Sequence, residues 1–305
     1  MSDLLAKELL VVTGKGGTGK STVAAALGLI AAGRGMRTII AEVAQRDDVS
    51  RALGGTGVHE DELAPNLHHL SIDPQAAMEE YVIDQLPSRA LADVLVSSRF
   101  FAYLAAATPG MRELVSIGKV WELAQSERRR ASDRPYDLVI LDAPATGHGV
   151  AVLSAPRTFA EAARVGRIAR QGRTIDAMLS DHQRTGVIAV ARPEEMAVNE
   201  TFALREALAD EVGLPVGLVV ANGMLPDRFA AADVGTLRRA SSGAGTTSAV
   251  GAALHAHARA RAQRAQLARL RRGIDGPVVT LPFLFADALD TTTIAPLVGA
   301  LQRAL

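Results

Sequence analysis

ELLVVTGKGGTGKST, residues 8–22, passes from an apolar stretch through a glycine-rich turn into an alanine-rich segment. Residues 8–14 form a compact apolar run stopped by Gly14, the pattern of a parallel strand buried on both faces. Residues 20–33, KSTVAAALGLIAAG, read as a helix closed by Gly33 or Gly35. Between the two, Gly14 is followed after four residues by Gly19, Lys20 and Ser21. Strand, that spacing, then helix is the context of a phosphate-binding loop. Glycines let the backbone turn tightly and aim its N–H groups at phosphate oxygens, and the helix N-terminus adds a favourable partial charge. The nucleotide-holding residues expected on this reading are Gly14, Lys15, Gly16, Gly17, Thr18, Gly19, Lys20, Ser21 and Thr22. Lys20 is expected to hold the β- and γ-phosphates of ATP, and Ser21 to ligate Mg²⁺.

Outward from this loop the chain alternates. Strands are expected at 37–43, 67–73, 136–144, 186–193, 214–223 and 276–283, and helices at 154–181, 199–212, 250–272 and 293–304. A mostly helical stretch covers about 75–130, interrupted at Pro87 and at residues 108–110. Such alternation predicts an α/β fold: a mostly parallel central sheet with helices on both faces. The stretches 75–130 and 154–185 exceed what a crossover needs, so they are expected to form a helical subdomain inserted within one domain, residues 1–305. Residues 235–249, rich in Gly, Ser and Thr, read as a mobile loop.

Composition excludes several classes. Lys plus Arg equals Asp plus Glu at 33 each, which gives no global electrostatic case for nucleic acid or an anionic membrane. The absence of cysteine removes disulfides, iron–sulfur clusters and thiolate zinc sites within the chain. MSDLLAKELLVV has no basic segment ahead of its apolar run, which argues against a signal peptide. The longest apolar run, 22–33, is shorter than the ~18–20 residues needed to span a bilayer. A cytoplasmic protein that is not integral to a membrane is expected.

One lysine suffices to hold a phosphate, yet the loop has a second, Lys15. It lies one position into the loop, facing away from a nucleotide wrapped by its own chain. A cation there can reach the phosphates of a second subunit and stabilise charge that develops in phosphoryl transfer. GKGGTGKST resembles the deviant Walker A motif of the SIMIBI-class ATPases, the nucleotide-dependent dimers that include septum-site and plasmid-partition proteins. That resemblance implies a face-to-face dimer, either a homodimer or a heterodimer with a related ATPase.

The strand YDLVILD ends in Asp142, an acid placed to hold Mg²⁺ directly or through water, and Thr146, Gly147 and His148 follow. This DxxxTGH spacing resembles switch II of the arsenical-pump ATPase and tail-anchored-protein targeting ATPase family. LSIDPQAAMEEY (70–81), TPGMREL (108–114) and ARPEEMAVNETFAL (191–204) are similar to further segments of that family, so the resemblance covers nearly the whole chain. It is nearest to the shorter, cysteine-free, single-domain bacterial members. By resemblance Asn222 stands where the family reads adenine, and Pro282 and Phe283 where a second loop meets the base. A carboxamide can pair with the N6/N7 edge of adenine, and the sequence after Asn222 lacks a guanine-reading aspartate. The resemblance implies an ATP- and Mg²⁺-dependent ATPase, switched as a dimer and coupled to a protein client or partner, with a hydrophobic segment as a possible client.

The departures are informative. The family's first switch begins DPAH, its aspartate positioning the attacking water, whereas AEVAQRDDVSRALG (41–54) has Glu42 there. A glutamate is still a carboxylate but one methylene longer, so slow hydrolysis is expected; Asp47 and Asp48 are rival candidates. A trithiolate arsenite site and a CxxC zinc bridge cannot form without cysteine. His68 and His69 alternate across a strand, and His255 and His257 point to different sides of a helix, so neither pair makes a metal site. The apolar residues of 94–123 read as packed core, with a client groove or subunit interface as the alternative. The arginine-rich helix 254–272 reads as a solvated face, with an acidic partner or lipid headgroups as the alternative. Two other functions fit the same loop: a small-molecule P-loop kinase or ligase, and a regulatory half of a heterodimeric ATPase.

Overall fold

The structure, a computed structural model, describes residues 4–43, 46–56, 60–85, 110–126, 134–240 and 247–305. In chain order the elements are β1 Leu9–Thr13, α1 Lys20–Gly33, β2 Thr38–Val43, α2 Asp48–Ala52, β3 Asp61–Ala64, β4 Leu67–Ile72, α3 Pro74–Gln85 and α4 Met111–Leu123. They continue with β5 Leu138–Asp142, α5 Thr146–Ala163, α6 Arg167–Ser180, β6 Thr185–Ala191, α7 Glu195–Ala207 and β7 Leu218–Met224. The last are α8 Ala231–Ala240, α9 Thr247–Gly273, β8 Val278–Pro282 and α10 Thr291–Gln302. Among the described residues the strands form one eight-stranded sheet in the order β3-β4-β2-β5-β1-β6-β7-β8. Every pairing is parallel except β3 with β4.

Continuous apolar runs make this sheet because both of its faces are covered. Leu10, Val12, Ile40 and Ile140 face α1 and α10, meeting Val23, Leu27, Ile30, Ile294 and Leu297. Val11, Ile39, Val139 and Leu141 face the other way, onto Ile117 and Val120 of α4, Leu153 of α5, Ile175 and Met178 of α6 and Val198 of α7. Each fully buried Leu, Ile or Val contributes roughly 1.5–3 kcal/mol. The two apolar layers, and not helix propensity, therefore fix where the strands lie. The expected α/β architecture with helices on both faces is what the chain forms.

The differences from the sequence reading lie in the connections. The helix expected over 154–181 is two helices: α5 starts at Thr146, and the chain turns at Arg164 (φ 54°) and Gly166 (φ 97°) before α6. α6 then packs closely on α5, where a Cβ on Gly172 would lie 2.7 Å from the Pro156 carbonyl oxygen. Residues 235–240, read as loop, complete helix α8. β3 and α2 were not foreseen. α10 begins two residues early because Asp290 caps it: its carboxylate accepts from the Thr293 N–H at 2.7 Å, while the Thr293 hydroxyl accepts from the Asp290 N–H at 2.7 Å. The expected break at Pro87, residues 94–109 of the apolar stretch and residues 241–246 of the expected mobile loop lie outside the described residues.

Candidate functional site

The sheet order places β1 between β5 and β6, so the loop leaving β1 opens beside the ends of both neighbours. Gly14 leaves β1 with φ 143°, and a Cβ there would come 2.2 Å from the Val190 carbonyl oxygen on β6. Only glycine fits this bend and this approach. The loop then closes on itself: Thr18 Oγ1 donates to the Lys15 carbonyl at 2.8 Å, and Lys20 Nζ donates to the same oxygen at 3.1 Å. Lys20 is buried at the first position of α1. Burial pulls its ammonium below the usual lysine range, opposed by the charge of Asp142 and assisted by that of Arg46. Lys20 is thus a desolvated cation resting on a neutral oxygen, a good anchor for an arriving phosphate.

Asp142 ends β5 with a fully buried side chain. Its Oδ2 accepts a hydrogen bond from Ser21 Oγ at 2.6 Å and lies 3.3 Å from Arg46 Nη2. Its Oδ1 is buried with no hydrogen-bond partner among the described residues. Burial pushes the carboxyl up to about 6, against the pull of Arg46 and of the Ser21 hydrogen bond. A hydroxyl and a carboxylate in contact, with one carboxylate oxygen orphaned, form a hard oxygen donor pair that fits Mg²⁺. Among the described residues no group of three or more His, Asp or Glu could hold a metal.

Lys15 is half-buried, and its ammonium is bonded to the Glu200 carboxylate on α7. The other Glu200 oxygen accepts from the Thr146 hydroxyl at 3.4 Å, at the start of α5. Lys15 therefore turns away from Lys20 and toward the segment following Asp142. Glu200 lies in the stretch 191–204 already singled out, but its pairing was missed because the partner is 185 residues away.

Glu42 is fully buried on β2 and stands in register with Asp142 across the β2–β5 pairing. Its Oε1 accepts from the Asp48 N–H at 3.2 Å and its Oε2 from the Val49 N–H at 3.0 Å, closing the start of α2. His69 Nε2 meets Oε2 at 2.8 Å and is itself fully buried. Asp47 pairs with Arg51, and Asp48 is exposed. His68, on the opposite face of β4, packs edge-on against Tyr136. Sequence reasoning foresaw the alternation of the two histidines but not the partnership of His69 with Glu42.

Asn222, Pro282 and Phe283 meet Gly17, Thr18, Gly19 and Thr22 around one cleft of about 190 Å³, with Arg192 on its wall. The Asn222 amide donates to the Thr18 carbonyl at 2.8 Å, tying β7 to the phosphate loop. Gln263 of α9, nearly fully buried, donates to the Gly223 carbonyl at 3.0 Å and accepts from the Leu225 N–H at 2.8 Å, which sets the turn after Asn222. Arg192, Gln263 and Arg46 were missed: Gln263 bonds residues 38 and 40 positions away and Arg46 reaches Asp142 96 positions away, Arg192 pairs locally with Glu194, and an arginine or glutamine has no spacing signature. Elsewhere on α9 Arg259, Arg261, Arg271 and Arg272 are exposed, while Arg264 pairs with Asp227 and Arg269 bonds Asn199.

The family described as "Anion-transporting ATPase" matches residues 7–172 and 160–242. ATPase BagA of Mycobacterium tuberculosis is 32% identical over 235 residues, covering 74% of this chain and 67% of that protein. The arsenical pump-driving ATPases of Acidiphilium multivorum and Escherichia coli are each 28% identical, over 246 and 245 residues, covering 73% of this chain and 40% of theirs.

Proposed function

The chain belongs to the anion-transporting ATPase family and is an ATPase, and from that premise we propose that it is a Mg²⁺-dependent, nucleotide-switched dimer. The dimer is a homodimer or a heterodimer with a related ATPase, and it couples ATP binding and hydrolysis to binding of a protein client or partner in the cytoplasm. The observation that carries the metal-dependent part is the 2.6 Å contact of Ser21 with Asp142, beside an orphaned carboxylate oxygen.

The residues divide the work. Backbone N–H groups of Gly14 to Gly19 cradle phosphate oxygens, and Lys20 exchanges the Lys15 carbonyl for the β- and γ-phosphates. Ser21 and Asp142 are the side chains that would hold Mg²⁺; when bound, it neutralises charge on the phosphates. Asn222, Pro282 and Phe283 take the adenine in the cleft they share with Thr18 and Thr22. Lys15 leaves Glu200 and reaches the partner's phosphates, which frees Thr146 at the head of α5. α5 packs on α6, so a movement at Thr146 has a path to the cavity of about 50 Å³ that Tyr81 of α3, Met111 and Leu114 of α4 and Ile175 of α6 surround. We assign the client or partner to that side. Among the described residues no helix is long and apolar enough to cross a membrane.

Glu42 orients the attacking water in this scheme only by giving up the N–H groups of α2. That engagement is consistent with slow hydrolysis and favours a second reading, the regulatory half of a heterodimeric ATPase. ATP hydrolysis measured with Mg²⁺ and with EDTA tests the proposal. Turnover is expected with Mg²⁺ only, and Asp142→Asn is expected to lower it by about 10²-fold or more while nucleotide still binds. Equal turnover in EDTA, or a fully active Asp142→Asn variant, would overturn it.

A further inference from the structure

Arg46 lies between β2 and α2, and its side chain reaches Asp142 in the same site. Its Nη2 donates to the Asp142 main-chain carbonyl at 2.8 Å and lies 3.3 Å from Asp142 Oδ2. Its Nε donates to the Val43 carbonyl at 3.3 Å, and Nη1 is 3.9 Å from Asp48. Ser21 and Arg46 thus converge on one oxygen of the carboxylate assigned to the metal. A fully buried carboxylate needs a compensating charge. Lys20 rests on the Lys15 carbonyl, and among the described residues Arg46 is the cation that pairs with Asp142.

We propose that Arg46 is a resident counter-cation that competes with the divalent metal for Asp142 and is expelled when the metal arrives with nucleotide. The inference rests on the reading of Ser21 and Asp142 as metal-holding residues. A guanidinium 3.3 Å from the carboxylate is attracted while the site lacks a metal and repelled once a doubly charged ion binds there. Nucleotide phosphates supply the extra negative charge that tips the exchange. The site therefore admits metal together with nucleotide and resists it alone. Release of Arg46 also loosens Asp48 at the start of α2, so metal loading is passed to the segment that Glu42 caps.

The test compares ADP affinity with and without Mn²⁺, at pH 8, using a fluorescent ADP and following the bound Mn²⁺ by electron paramagnetic resonance. The readout is the ratio of the two affinities. Arg46→Gln is expected to enlarge this metal-dependent ratio about five-fold over the unsubstituted protein, the worth of one partly exposed ion pair. Arg46→Lys, which keeps the charge without the guanidinium fork, is expected to fall between them. A ratio for Arg46→Gln equal to or below that of the unsubstituted protein would overturn the proposal, since Arg46 would then be neutral toward the metal or assist it. Should the Gln variant fail to fold, a ratio for Arg46→Lys at or below that of the unsubstituted protein would do the same. Absence of ADP binding by the unsubstituted protein, with and without metal, would instead remove the nucleotide-site reading, and the Arg46 proposal with it.

Discussion

Asp142 carries the consequences of the site at the scale of one residue. Its carboxyl titrates at about 6 in the folded chain because burial disfavours the anion, compared with about 4 when unfolded. Between those values the folded state holds the proton that the unfolded state has released. The stability from this group is therefore full below about pH 4 and is lost as pH rises through about 6. Asp142→Asn is expected to stabilise the protein in EDTA at pH 7.5 by roughly 3 kcal/mol, with the gain vanishing near pH 4, as read by thermal unfolding across pH. A variant that melts lower at both pH values would contradict the burial argument. The same residue was legible in the sequence because a strand ending in an acid, followed by the TGH segment, is a local pattern. Arg46 was not: its partner is 96 residues away, and nothing in QRDDV distinguishes a guanidinium facing the site from one facing water. Glu200 was hidden in the same way, since contacts between distant segments leave no spacing to read.

At the scale of elements, short pieces hang on single buried groups. α2 is five residues long, too short to persist by helix propensity, and Glu42 supplies acceptors to two of its N–H groups while holding His69. Glu42→Ala leaves the buried Val49 N–H without its acceptor and takes the carboxylate from buried His69, and is expected to destabilise the protein by about 2–4 kcal/mol in urea unfolding. Glu42→Gln separates structure from chemistry: it keeps the shape and loses the charge. If Glu42 orients the water, ATP turnover falls about ten-fold or more in that variant while nucleotide binding persists; normal turnover removes the residue from the mechanism. In the α5–α6 pair, Gly172→Ala forces a methyl against the Pro156 carbonyl and is expected to cost about 1–3 kcal/mol by the same unfolding measurement. The helices and central strands were legible because each buries a continuous or periodic apolar face. The break at residues 164–166 was not, because Arg164 adopts φ 54°, which propensity assigns to glycine or asparagine. β3 is a four-residue edge strand with no buried position and so shows no alternation to detect.

At the scale of the whole molecule, one long sheet brings a loop from residue 14, a carboxylate from residue 142 and an amide from residue 222 to the same end. The architecture was readable because strand and helix alternate along the chain; the strand order was not, since it depends on pairing between remote segments. In a single chain Lys15 is held by Glu200, and the role proposed for it needs a second copy. The most direct test mixes two variants in the presence of Mg²⁺ and ATP. Lys20→Ala cannot grip its own triphosphate but still carries Lys15; Lys15→Ala grips ATP but offers no lysine to its partner. Each alone is expected to be inactive. The mixture is expected to regain hydrolysis, because the mixed dimer contains one complete site with its lysine supplied across the interface. Full turnover by Lys15→Ala alone, or a mixture that forms dimers yet stays as inactive as its parents, would contradict the claim.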